Sequence, residues 1–169
     1  MATPRGTQES KERERIAAEI RRGLEGDAWH GPSLMAILED VSAAEAYARP
    51  VPGAHSIFEL VQHLVATAEL VLDRLRGEPH PWVLEESWPA PPPETPCTGV
   101  AEAAPWPAAL VRLRELHEEA LAGLRSNDLE LDAPVVAGGS SVYETLHGFL
   151  QHDLYHGGQI ALLKKALRT

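Results

Sequence analysis

Apolar side chains recur along this chain at three- and four-residue intervals, the spacing of one face of an α-helix, in four long blocks. Ile16, Ala17, Ile20 and Leu24 predict a first long helix over 9–24. Leu34, Ile37, Leu38 and Val41, opened by Pro32, predict a shorter one over 33–47. The second long helix is better bounded. Ser56 and Glu59 form a capping box at its start, and Gly77 and Pro79 stop it after Arg76. A third is expected over 107–125. The fourth opens with the capping box Ser141 and Glu144 and runs to Arg168, where Lys164, Lys165 and Arg168 suit the negative end of the helix dipole. "APVVAG" is too short and isolated to read as a strand. The expected fold is all-α: a four-helix bundle, in which each stripe is buried against another.

The connection between the second and third long helices departs from this pattern. The stretch "GEPHPWVLEESWPAPPPETPCTGVAEAAPWP" holds nine of the fourteen prolines and three of the four tryptophans, Trp82, Trp88 and Trp106. A loop this long in a compact domain is a functional loop, a crossover or disorder, and that much aromatic surface argues for burial. It reads as a crossover over 77–106 that lets the helices on either side run parallel. Its tryptophans are expected to dock in an apolar cleft of the bundle or, alternatively, to plug its outer surface. The whole reads as one helical domain over 1–169, with 1–8 disordered.

Composition narrows the function classes. The chain has 169 residues, 44% of them hydrophobic, enough to build a core. A net charge of −10 opposes nucleic-acid binding, and the basic residues of "KERERIAAEIRR" alternate with acids. No apolar run approaches the roughly 20 residues that span a bilayer. "MATPRGTQES" lacks the apolar centre of a signal peptide, so a soluble cytoplasmic protein is expected. Cys97 is the only cysteine, which excludes an intrachain disulfide, and it sits among prolines without a basic partner to activate it. Ser140 and Ser141 read as cap residues, and there is no phosphate-binding glycine motif.

The candidate chemistry lies in the histidines. In "FLQHDLYHGGQIALLKK", His152 and His156 share the inward stripe of Val142, Leu146, Phe149, Ile160, Leu163 and Leu167. Two imidazoles four residues apart can reach one divalent ion, each nitrogen about 2.0–2.1 Å from it. The alternative is a pair of core histidines hydrogen-bonded to carbonyls or to each other. A metal needs a third ligand from another helix. His63 lies at the edge of the second helix's stripe, on the flank of Glu59, Thr67 and Leu70, where a surface histidine is the simpler reading. His117 lies squarely on the stripe of Leu110, Leu113, Leu121 and Leu124, where a buried, hydrogen-bonded histidine is simpler. Periodicity leaves the third ligand open. His30, His55, His80 and His147, in or near loops, receive no role.

"GDAWHGPSLMAILEDVSAAEAYARPVPGAHSIFELVQHL" and "YETLHGFLQHDLYHGGQIALLKKAL" resemble the DinB/YfiT-like superfamily of metal-dependent four-helix-bundle proteins. The first segment is similar to the family's Trp-Gly-Pro-Ser opening and the helix with its first histidine. The second is similar to its last helix, ending H-x-x-x-H-x-G-Q-I. The resemblance implies one divalent ion, zinc or nickel, held by His63, His152 and His156, and a parallel crossover between the second and third long helices. The chain departs from the family in its loop prolines and tryptophans. It also has Ala68 before Glu69 where relatives often place a tryptophan, so a substrate pocket does not carry over.

Three histidines would leave one position on the ion open, as in catalytic sites. Water activated there would give a hydrolase. A low-molecular-weight thiol deprotonated there would give a thiol S-transferase, the activity that characterised relatives suggest. A non-catalytic metal- or ligand-binding stress protein is the reading from another class. Glu59 lies near the His63 flank, but capping already explains it. Finally, Leu150, Leu154 and Ala161 form a second apolar flank on the last helix, from which a homodimer is expected.

Overall fold

Three helices of this protein open on the same local device. At Ser42/Glu45, Ser56/Glu59 and Ser141/Glu144 the serine hydroxyl accepts from the third helical N–H, and the glutamate accepts from the N–H of the cap. The computed structural model describes residues 5–78, 88, 105–125, 129–136 and 139–169. These contain helices α1 (Arg5–Glu25), α2 (Leu34–Leu38), α3 (Ala43–Tyr47), α4 (Ile57–Leu75), α5 (Pro105–Arg125) and α6 (Val142–Leu167). No strand occurs among the described residues. Pro134 instead makes an isolated bridge with Ser141, which closes a turn before α6.

Two boundaries differ from expectation. α1 starts at Arg5 rather than Glu9, inside the stretch expected to be disordered. The single helix expected over 33–47 is two, because the Ser42 capping box starts a new one after Val41. The apolar stripe continues across the break, so Val41 is buried although it is not helical. Among the described residues α5 is helical from Pro105, ahead of the expected 107.

The four long helices form the bundle, packing in the cyclic order α1, α5, α4, α6. Side-chain pairs give the directions. Arg112 of α5 bonds Glu69 of α4 at 2.8 Å, and Glu119 pairs with Arg76, so both chains advance together and α4 and α5 run parallel. Arg21 pairs with Glu118 and Glu25 with Arg114, so α1 runs antiparallel to α5. A crossover between parallel α4 and α5 is therefore required, as expected. Ile20, Leu64, Leu113, Leu121, Leu146 and Ile160 pack the centre.

Part of the flank of α6 that suggested a dimer lies against α1 within the chain. A Cβ on Gly23 of α1 would come within 2.6 Å of the Leu150 side chain and 3.7 Å of Leu154. α1 thus closes on α6 at Leu150 and Leu154, which with Ala161 remain half-buried. No helix among the described residues is long and apolar enough to cross a membrane.

Candidate metal centre

Two helices bring three histidines to one point. α4 is fixed at its start by the Ser56 cap, and two turns on it presents His63 toward α6. From α6, His152 and His156 point back. His63 Nε2 lies 3.1 Å from His152 Nε2. The ring centroids of His63 and His156 are 4.8 Å apart, and those of His152 and His156 are 4.5 Å apart. One nitrogen from each of the three rings falls within 4.8 Å of the other two. Among the described residues this is the one group of histidines, cysteines and carboxylates so arranged.

The sequence-based placements are partly corrected. His63 is buried rather than a surface residue, and Glu59, Thr67 and Leu70 on its flank are buried too. The edge of the α4 stripe is covered because Trp88, from the connection before α5, stacks on the His63 ring at 4.0 Å with the planes 1° apart. His117 is fully buried but stands away from the group. Its Nδ1–H donates to Leu113 O at 2.8 Å and its Nε2–H to Asp153 Oδ2 at 2.7 Å. The tryptophans divide. Trp88 lies at the site, whereas Trp106 is in the core, its Nε1–H donating to Val41 O at 2.9 Å. Trp82 and Cys97 lie outside the described residues.

Sequence reasoning missed three supporting groups. His156 Nδ1–H donates to Gln159 Oε1 at 2.7 Å, which fixes the tautomer and leaves Nε2 with its lone pair. His55 stacks on the other face of Trp88, at 3.8 Å. Asp153 is buried beside His152. The three-residue step from His156 to Gln159 was a readable signal for the first, and Asp153 follows Phe149 by a helical turn. Nothing in the periodicity pointed to His55.

Burial disfavours the charged form of two of the three rings, His152 and His156. Burial first, then the neighbouring His156 and His63, push His152 down to about 4. Burial also lowers His156, against the opposing pull of Gln159 and Asp153. Glu59 cannot serve readily as a base one turn away. Burial works to raise it, but the Ser56 N–H and hydroxyl, then Arg49 and His55, hold its carboxyl below the ordinary range.

These residues fit a divalent cation. The His63 and His152 Nε2 atoms face each other at 3.1 Å, a spacing that one N–H shared between them or an ion bound to both would satisfy. Two histidine nitrogens on one tetrahedral zinc ion stand about 3.3 Å apart, close to that value. His152 Nδ1 is buried with no hydrogen-bond partner, so the hydrogen bonds seen do not by themselves account for this cluster. Three neutral imidazoles suit zinc or nickel, and leave the charge of the ion uncompensated.

The model describing the DinB superfamily matches residues 28–160. The chain belongs to that superfamily. The match includes all three histidines and the two motifs that resembled the family, at 29–33 and 152–160. No curated protein and no solved structure matches the chain. The helical fold of this DinB-superfamily protein thus agrees with its family, and its histidine triad could hold a metal ion.

Proposed function

We propose that His63, His152 and His156 hold one divalent ion, zinc or nickel, and that the protein is a thiol S-transferase. The observation that supports this most is the three-histidine group with no carboxylate in it among the described residues. Bound there, the ion would supply a doubly charged, Lewis-acidic open position that favours the deprotonated form of a thiol. The chain's own residues do the rest. α4 and α6 hold the three nitrogens, Gln159 keeps the His156 lone pair inward, and Trp88 walls one side. The thiol would give its proton to bulk water, its sulfur would bond the carbon of a small electrophile, and the bond from that carbon to the leaving group would break, the leaving group departing with the electron pair.

The S-transferase reading is preferred to a hydrolase because it asks for no separate general base, and Glu59 is already engaged by Ser56 and Arg49. The test is to incubate zinc- and nickel-loaded protein with panels of electrophile plus low-molecular-weight thiol, and with ester and amide panels. Metal-dependent loss of electrophile only when thiol is present, abolished in His156→Ala, is expected. Turnover of the esters or amides alone would make it a hydrolase. Silence in both panels would favour a non-catalytic metal- or ligand-binding stress-response protein.

A further inference from the structure

Trp88 touches two of the three histidines of the site. Its indole lies face to face on His63, with ring centroids 4.0 Å apart and planes within 1°. Its edge meets the His156 ring at 6.2 Å and 79°. The opposite face is covered by His55, at 3.8 Å and 11°. His55 in turn lies 3.9 Å from the Glu59 carboxylate, at the first turn of the helix that carries His63. The indole therefore sits in a slot between two imidazoles eight residues apart in sequence, both anchored to the start of α4.

We infer that Trp88 is a positioning residue for the metal centre, clamping the His63 ring in its ligating plane with His55 as the outer jaw. This rests on the reading of His63, His152 and His156 as metal ligands. The torsion that sets a histidine's ring plane is broad and weakly preferred, so its neighbours must set it. A parallel aromatic face opposes tilting, since any tilt loses stacked contact. The clamp also tightens when a cation is bound. An imidazole coordinated to a divalent ion carries part of its positive charge, and the indole face is the aromatic surface that best attracts a cation. By linkage, whatever ion binding adds to the docking of Trp88, docking adds to ion affinity by the same factor.

Calorimetric zinc titrations of the whole protein test this. They compare wild type with Trp88→Phe, Trp88→Leu and His55→Ala, each first checked for helix content and melting temperature. Groups that orient a metal-ligating histidine typically change affinity by about 10–100-fold. Trp88→Leu fills much of the slot without a ring and is expected to weaken zinc binding about tenfold. Trp88→Phe keeps a face and is expected to restore most of it, and His55→Ala to fall between. Co²⁺ gives a second readout that needs no folded variant of reduced affinity. Its binding to wild type is expected to quench an emission that Trp88→Phe lacks. Zinc affinity in Trp88→Leu equal to wild type, or no Co²⁺-dependent change assignable to Trp88, overturns the clamp and leaves the metal centre standing. Wild type that binds no ion overturns both.

Discussion

His117 is the residue at which burial and charge conflict most directly. Burial disfavours its charged form, but the Asp153 carboxylate at Nε2 and the Leu113 carbonyl at Nδ1 outweigh this and raise its pKa. Both ring nitrogens donate, so an imidazolium and a carboxylate face each other between α5 and α6 at 2.7 Å, away from water. Removing one partner strands the other. His117→Ala is expected to destabilise the protein by about 3–5 kcal/mol in denaturant titrations. His117→Ala/Asp153→Ala should cost clearly less than the two single changes added; strict additivity would show that the pair is not a unit. This pair also marks what was legible in the sequence. Helical spacing placed His117, His152 and His156 inward, and each is buried or half-buried. It misplaced His63, because a helical wheel registers only the packing of periodic faces. What covers His63 is an indole from a connection without period, and no spacing argument reaches it.

At the level of elements, local chemistry explains the boundaries well. α4 ends in a Schellman motif. Gly77 N–H donates to Arg74 O at 3.0 Å and Glu78 N–H to Asp73 O at 2.9 Å, with Gly77 at φ 74°. An L side chain is strained in that conformation, so Gly77→Ala is expected to cost about 1 kcal/mol, read as a lowered denaturant midpoint. No loss would mean the helix ends by another means. Capping boxes placed the starts of α4 and α6 in advance, because a Ser-x-x-Glu pair satisfies helix N–H groups wherever it occurs. The same pair at Ser42 and Glu45 marked the start of α3. It was overlooked because the stripe through Leu34, Leu38 and Val41 continues past the break, and burial of that face does not require one unbroken helix.

For the molecule as a whole, the end of α6 is tied to the segment joining α2 and α3. Arg168 donates to Asp40 Oδ2 at 2.7 Å and Glu45 Oε1 at 2.9 Å, and Lys164 to Ile37 O at 2.6 Å. Lys164 and Arg168 hold Asp40 at about 2, and Arg168 and Ser42 hold Glu45 at about 2. These carboxyls are depressed in the folded state, so their contribution is present above the unfolded values near 4. It is lost as the pH falls from there toward about 2. Arg168→Ala is therefore expected to lower the melting temperature slightly at pH 7, with the gap closing by about pH 2. A gap unchanged by acid would rule out the ion pairs as its cause. The long proline-rich connection foreshadowed the parallel course of α4 and α5, and the packing of α4 on α6 sets His63 against His152. The three-histidine group is the central claim, and metal stoichiometry tests it most directly. Zinc bound per chain should be measured after dialysis for wild type and for His63→Ala, His152→Ala, His156→Ala and His117→Gln. One ion per chain is expected in wild type and His117→Gln, and loss of tight binding in the other three. Retention of the ion in His63→Ala together with its loss in His117→Gln would contradict it.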